Sequence, residues 1–352
     1  MAGGGTGGHV IPSLAVAAEL RRMGHEAVFV GTRRGLEATI VPRAGYEMEW
    51  IEIGGLQRVG WKQAAKTMWQ LPASVWKSWR VLRRHRAAAV FSMGGYVAAP
   101  VMLAAAAAGV PMAAMEPNAL PGLVTRKMGR WVKRALLSFE EAKRYFPEGT
   151  AEMTGLPVRE EFFALPERRP GAALSVLVTG GSRGSRALNK AARESWRLFR
   201  EHGMAVRFVL QSGTDDYEAL AREFNETRLD GAVTAFIHDM PAAYADADIV
   251  VSRSGAGAVS ELAAAGKPSL LVPFPFASDD HQRHNAEAMA RAGAARVFAE
   301  GEWTGQKLFE TVAELNARRE DLARMGHAAR RLAKPGAARR AAEILLEIAR
   351  GA

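Results

Sequence analysis

Two glycine-rich turns set half a chain apart constrain this sequence more than any other feature. The first, Gly3-Gly4-Gly5-Thr6-Gly7-Gly8-His9, runs into an apolar helical stretch around Ile11–Met23. The second, Gly180-Gly181-Ser182-Arg183-Gly184, follows the β-rich run Leu174–Thr179 and opens a helix at Ser185. Each aims backbone N–H groups out of a helix N-terminus with the positive end of the helix dipole behind them, an arrangement that suits anions. Elsewhere short apolar runs alternate with longer helical ones, with strand candidates at Ala27–Val30, Glu49–Ile53, Ala87–Phe91, Leu174–Thr179, Val206–Leu210, Ile249–Ser252 and Ser269–Val272. That alternation predicts parallel α/β sheets with helices on both faces. Two such turns in 352 residues predict two Rossmann-like domains facing a cleft, residues 1–156 and 171–335, joined by the proline- and charge-rich linker Pro157–Pro170. Residues 336–352 contain the amphipathic run Ala337–Arg350, a last helix able to pack back across the domains.

The first domain carries an anomaly. A Rossmann unit needs a strand ahead of its first glycine-rich turn, yet here the turn begins at the third residue. The sequence therefore predicts a first domain whose leading strand is missing, either absent from the chain or encoded further upstream, with apolar surface and unpaired backbone left open.

Composition narrows the classes. Hydrophobic residues at 48% and charged residues at 24% are values of an ordinary globular chain. The absence of cysteine excludes disulfides, thiolate metal sites and a cysteine nucleophile. A formal net charge of +10 favours polyanionic partners: nucleic acid, phosphorylated ligands or an anionic membrane. No secretory signal opens the chain. The uncharged stretch Ala87–Met115 is long enough to span a bilayer, but Gly94-Gly95, Pro100, Gly109 and Pro111 divide it into a strand, a loop, an alanine-rich buried helix and a second strand, Met112–Met115.

Gly3-x-Gly5-x-x-Gly8 matches the dinucleotide fingerprint, which makes an oxidoreductase the rival of a different class. The next strand ends in Val30-Gly31-Thr32-Arg33 without the acidic residue that NAD needs; Arg33 or Arg34 could instead hold the 2′-phosphate of NADP. A purely structural tight turn is the plainer reading. His9 adds an imidazole at a helix start, where the dipole disfavours the cation and keeps the ring able to accept a proton.

The richest stretch is Ile249–Ala292. Its strand runs into Arg253-Ser254-Gly255-Ala256-Gly257-Ala258-Val259-Ser260-Glu261, where small side chains let a diphosphate approach backbone N–H groups. Glu261 falls one turn into the following helix, placed to accept hydrogen bonds from ribose hydroxyls. Pro273-Phe274-Pro275-Phe276 then sets an extended loop ahead of the polar run Asp279-Asp280-His281-Gln282-Arg283-His284-Asn285-Ala286, which suits sugar hydroxyls. Asp279, Asp280, His281 and His284 have no matched metal-ligand spacing, so no metal is expected. Asp246-Ala247-Asp248 precedes its strand and reads as a solvated loop.

These runs, taken in order with Met93-Gly94-Gly95-Tyr96-Val97, Glu116 with Asn118, Pro157-Val158-Arg159 and Phe236-Ile237, make the chain resemble the MurG family of inverting glycosyltransferases over nearly its whole length. The resemblance implies the two-domain GT-B fold, UDP-GlcNAc held by the C-terminal domain and a lipid acceptor taken by the N-terminal one. It places Thr6, Gly7 and Gly8 against the donor sugar and diphosphate, His9 as general base and Asn118 on the GlcNAc. Arg159 and Ser182 fall on the diphosphate, Ile237 on the uracil through its backbone, Ala256 to Ser260 on diphosphate and ribose, Glu261 on the ribose and Gln282 on the GlcNAc hydroxyls. It further implies transfer to the 4-hydroxyl of an undecaprenyl-pyrophosphoryl-MurNAc-pentapeptide without cofactor, peripherally on the cytoplasmic face of the plasma membrane, with other cell-wall synthesis proteins as further partners. The sequence departs from the family pattern in its leading strand, at Met115 and Pro117 where His and Gln are usual, and at Leu156 where Asn is usual. A related transferase with another lipid acceptor and a UDP-GlcNAc epimerase are the nearest alternatives.

Between Gly54 and Arg86 the composition changes. Trp61, Trp69, Trp76 and Trp79 occur among Lys62, Lys66, Lys77, Arg80, Arg83, Arg84 and Arg86. Tryptophan favours membrane interfaces and basic side chains attract anionic lipid. A core helix with a solvated basic face is the plainer account. Nucleic acid could use the same charges but leaves the UDP-type features unexplained.

Overall fold

The computed structural model describes residues 1–5, 7–54, 61–166 and 171–351, with the backbone alone for 61–66. The chain divides into two compact units: Met1–Val158 with Gly336–Ala352, and Arg159–Pro335.

In the first unit, β1 (Val28–Gly31) pairs with β2 (Glu47–Trp50), while β3 (Val90–Ser92), β4 (Met112–Glu116), β5 (Arg134–Leu137) and β6 (Ala151–Glu152) pair in that order, all in parallel. The helices are α1 (Gly7–Arg22), α2 (Glu37–Arg43), α3 (Trp61–Arg84), α4 (Gly95–Ala108) and α5 (Leu123–Met128). Ala2 joins the two sheets, bridging in parallel to Val30 on one side and Ser92 on the other. Its ties are Val30 N–H to Met1 O at 2.9 Å, Ala2 N–H to Phe91 O at 2.7 Å and Met93 N–H to Ala2 O at 2.9 Å. The leading strand expected to be missing is thus present as a stub in the central position, where the strand order reverses. Upstream of it, β1 and β3 face a cavity of about 270 Å³ lined by Val28, Val81, Leu82 and Val90 among others. The Met1 ammonium donates to Val28 O at 2.8 Å, and burial pushes it down to about 5.

β3 starts later than the apolar run suggests because α3 closes over it. Arg86 takes a positive φ of 47°, and Ala87 N–H returns to Leu82 O, so the first alanines end the helix instead of starting the strand. The uncharged segment that follows is α4, 14 residues between Gly94 and Gly109, both at positive φ. Among the described residues no helix is long and apolar enough to cross a membrane.

The second unit holds one parallel sheet of β7 (Leu174–Thr179), β8 (Val206–Gln211), β9 (Asp230–Thr234), β10 (Ile249–Ser252), β11 (Ser269–Leu271) and β12 (Ala295–Val297), in the order β12-β11-β10-β7-β8-β9. That is the doubly wound order, with its switch point between β7 and β10, and ligands of such sheets sit beyond the carboxyl ends of the strands there. All six residues of β7 are buried, as a strand covered on both faces requires. Around it lie α6 (Arg186–Glu201), α7 (Tyr217–Thr227), α8 (Met240–Asp246), α9 (Ala256–Ala265), α10 (His281–Arg291), α11 (Gly305–Ala317) and α12 (Arg319–Leu332). In α6 the buried stripe Leu188, Ala191, Ala192, Ser195, Trp196 and Phe199 repeats at helical spacing, and Ser185 caps the start. The last helix, α13 (Ala337–Arg350), returns to the first unit and packs on α1. Its Arg340 pairs with Glu152 of β6 at 2.6 Å.

Candidate active site

In the first unit the start of α1, the turn after β3 and the end of β4 converge. Gly7 and Gly8 open α1 and His9 follows, half-buried; Thr6 lies outside the described residues. His9 Nδ1 stands 3.2 Å from Gly4 O. A carbonyl only accepts, so that nitrogen carries the proton. A Cβ on Gly95 would stand 3.2 Å from the imidazole, and one on Gly94 would stand 2.8 Å from Thr125 Oγ1, so both glycines admit close neighbours. Thr125 bonds to Glu116. Glu116 Oε1 accepts from Asn118 N–H at 3.0 Å and Asn118 Nδ2 at 3.2 Å, and Oε2 accepts from Gly122 N–H at 3.2 Å. Glu116 therefore folds loop 117–122 and orients Asn118. The departures Met115, Pro117 and Leu156 are all buried.

Burial pushes the Glu116 carboxyl up from 4.5 to about 7, against the pull of its hydrogen bonds. A carboxyl raised on folding contributes stability at low pH that is lost as pH rises through the folded value. The shift corresponds to about 3 kcal/mol. Between pH 4 and 8, the unfolding free energy of Glu116→Gln relative to the parent is expected to move by about that amount in the variant's favour. Denaturant titrations at both pH values measure it, and a pH-independent difference contradicts a buried, titrating Glu116.

In the second unit the loops beyond β7, β10 and β11 meet. Ser182 is exposed in the turn after β7. That turn needs its glycines: a Cβ on Gly180 would come within 2.4 Å of Ser185 N, and one on Gly184 within 1.9 Å of Ser212 O. Gly255 and Gly257 differ, since a Cβ on either meets nothing within 4 Å and neither has positive φ. The fold does not require glycine there, and small residues at that helix start leave room for a ligand. Ala256 to Glu261 form the first turns of α9. Within them Val259 is buried, with its N–H given to Gly255 O, while Ala256, Gly257, Ala258 and Ser260 are half-buried. Burial pushes the Glu261 carboxyl up to about 7, opposed by the charge of Arg159. Gln282 opens α10, with Oε1 accepting from Phe274 N–H at 3.0 Å and its carbonyl accepting from Ser254 Oγ at 2.8 Å. Asp280, just before α10, pairs with Arg283 at 3.5 Å, and His284 lies 3.7 Å from Glu287 within the helix.

Three organising residues were not anticipated in these roles. Gln211, buried at the end of β8, donates through Nε2 to Gly181 O at 2.7 Å and accepts Ile237 N–H on Oε1 at 2.9 Å, which ties the glycine-rich turn to Ile237. Arg253 bonds Val272 O at 3.0 Å, Pro273 O at 3.2 Å and Ser185 Oγ at 2.8 Å, and pairs with Glu300. One guanidinium thereby locks the loops after β7, β10 and β11. Glu37 of α2 accepts Gly5 N–H on Oε2 at 2.8 Å, and Thr32 N–H and Oγ1 on Oε1, both at 3.0 Å. A dinucleotide pyrophosphate at the first turn would meet that buried carboxylate instead of the Gly5 N–H, which counts against the NADP reading. Arg33 stacks over Trp50 at 4.9 Å.

Two doubly wound units, one with an open small-residue helix start beside a half-buried carboxylate and a cation, have the architecture of a nucleotide-binding α/β protein. The chain matches the glycosyltransferase family 28 N-terminal domain over residues 1–137 and its C-terminal domain over residues 175–341. It is 57% identical over 350 residues, 99% of this chain and 96% of the relative, to the UDP-N-acetylglucosamine--N-acetylmuramyl-(pentapeptide) pyrophosphoryl-undecaprenol N-acetylglucosamine transferase of Solibacter usitatus. The protein of the same name from Halorhodospira halophila is 45% identical, covering 100% of this chain and 98% of the relative. The crystal structure of Acinetobacter baumannii MurG superposes with a TM-score of 0.84 at 29% identity, covering 98% of this chain and 97% of that one. The chain belongs to the MurG family of glycosyltransferases, and its fold is the GT-B fold of that family.

Proposed function

We propose that the chain transfers GlcNAc from UDP-GlcNAc to the 4-hydroxyl of MurNAc in undecaprenyl-pyrophosphoryl-MurNAc-pentapeptide, with inversion at the anomeric carbon. The observation that carries the donor half is the start of α9. Open Gly255 and Gly257 leave N–H groups at a helix N-terminus for a diphosphate, and Glu261 follows one turn on beside Arg159 for the ribose. Ser182 and Arg159 add donors to the diphosphate, Ile237 meets the uracil, and Gln282 turns its amide nitrogen toward the sugar hydroxyls. Departing UDP is stabilised by these N–H groups, helix dipoles and Arg159, which asks for no metal. In the first unit, the likeness to the family assigns Gly7 and Gly8 to the donor sugar and Asn118 to the GlcNAc. His9 takes the acceptor proton as the hydroxyl attacks. Thermal shift with UDP-GlcNAc, UDP-glucose and NADP tests the donor: stabilisation by UDP-GlcNAc above the others is expected, and stabilisation by NADP alone rejects the reading.

The acceptor is lipid-linked, and α3 supplies a surface for its membrane. Trp69, Ala73, Trp76, Arg80 and Arg83 share one helical face; Trp69 is 87% and Trp76 58% exposed, and Arg80 stacks over Trp76 at 4.8 Å. Trp79 is set apart from that face, packing against the core with Arg83 over its ring at 4.9 Å. The side chains of Trp61, Lys62 and Lys66 lie outside the described residues. We place the protein peripherally on the cytoplasmic leaflet through this face, where each basic residue contributes about 1 kcal/mol of attraction to anionic lipid. Replacing Trp69, Trp76, Arg80 and Arg83 together is expected to release the protein from anionic vesicles with UDP binding intact. Co-sedimentation of the parent that ignores both salt and lipid charge contradicts the assignment.

A further inference from the structure

We propose that Glu37 is a positioning residue that sets the tautomer of His9 through a single peptide group. Gly4 O and Gly5 N–H belong to the same amide. The Glu37 carboxylate accepts that N–H at 2.8 Å, and His9 Nδ1 donates to that carbonyl at 3.2 Å. Carboxylate, amide and imidazole form one hydrogen-bonded chain in which each bond polarises the next. A carboxylate on the N–H raises the negative charge on the carbonyl oxygen and makes it a stronger acceptor for Nδ1–H. The free imidazole prefers its proton on Nε2; this chain places it on Nδ1 and gives Nε2 the lone pair that a base needs.

The fold is built around this carboxylate. Glu37 is 1% exposed and is surrounded by the donors Gly5 N–H, Thr32 N–H and Thr32 Oγ1. Glycines from two segments make room for it: a Cβ on Gly4 would lie 2.6 Å from the carboxyl carbon, one on Gly31 2.6 Å from Cγ, and one on Gly35 2.0 Å from Oε2. Gly5 takes φ +88°, a left-handed conformation that turns its N–H toward Glu37, and a Cβ there would press on the Tyr96 ring at 3.1 Å. The first glycine-rich turn spends this amide on fixing the imidazole, whereas the start of α9 leaves its N–H groups for an anion.

The catalytic consequence rests on His9 acting as base, but the tautomer does not, and two readouts separate them. Nitrogen-15 NMR of the imidazole-labelled parent is expected to show His9 protonated on Nδ1 at neutral pH; a proton on Nε2 overturns the proposal without any variant. In Glu37→Gln the carboxylate is replaced isosterically. The His9 signals are expected to move toward the Nε2–H form, and kcat to fall roughly tenfold or more with donor KM unchanged. An unchanged tautomer in a folded Glu37→Gln protein overturns the proposal. A shifted tautomer with unchanged kcat keeps the positioning and removes His9 as base.

Discussion

Replacing His9 with alanine is expected to lower turnover by about 10²-fold or more while UDP-GlcNAc affinity stays close to the parent's. The asymmetry follows from the division of labour. The groups proposed to hold the UDP moiety, at α9, Ser182 and Ile237, belong to the second unit, and His9 belongs to the first, in the opening turn of α1. A base contributes when the acceptor hydroxyl loses its proton, so its removal appears in kcat and not in nucleotide affinity. Loss of the base should also remove the limb of the rate profile that reports its proton uptake, so the parent shows that limb and the variant does not. If His9 only closes the turn, stability and donor affinity fall together. A well-folded variant with near-parental turnover excludes it as base and moves attention to Glu116.

The second large effect is at Glu261. Glu261→Ala is expected to weaken UDP-GlcNAc and UDP equally, by about 1.5–3 kcal/mol, the value of hydrogen bonds to a charged group. Because the lost contact is to the ribose, the sugar should make no difference, and calorimetry with both ligands checks it. The pH dependence carries a sign. Ribose hydroxyls donate to an ionised carboxylate, and burial raises the Glu261 carboxyl to about 7. Affinity should therefore be highest above pH 7 and fall by up to tenfold per unit below it as the carboxyl protonates. The UDP phosphate also titrates near 6, so the ratio of parent to Glu261→Gln isolates the residue. Unchanged UDP affinity in the alanine variant rejects the ribose assignment.

The central strands and long helices were legible because their signals are local and strong. β7 and β10 fall where their buried apolar runs lie, and α13 where its amphipathic run does. The missed strands have weak signals. β5 is Arg-Ala-Leu-Leu, without a β-branched or aromatic residue, β6 is two residues long, β12 is Ala-Arg-Val, and β9 at a sheet edge reads Asp-Gly-Ala-Val-Thr, with its first three residues exposed. α1 begins at Gly7, ahead of any apolar repeat, because the glycines themselves form its first turn. The leading strand looked absent because three residues cannot show a period; only pairing on both sides reveals it. The candidate site residues in glycine-rich turns were proposed from composition and resemblance. Glu37, Gln211 and Arg253 act across loops distant in sequence, and no spacing rule marks a side chain whose partner lies 20 or more residues away, as Gln211 and Ile237 do at 26. Glu37 carried one readable trace: the glycines Gly31 and Gly35 crowd the same short stretch.

Transfer of GlcNAc to the muramyl acceptor is read by product analysis. The full chain is incubated with UDP-GlcNAc labelled in the sugar and with undecaprenyl-pyrophosphoryl-MurNAc-pentapeptide in anionic vesicles. Label is expected to enter the lipid as a β-linked GlcNAc on the 4-hydroxyl of MurNAc, with one UDP released per sugar transferred. Label that remains on the nucleotide as an epimerised sugar, or that passes to a different lipid while the muramyl acceptor is left untouched, contradicts it.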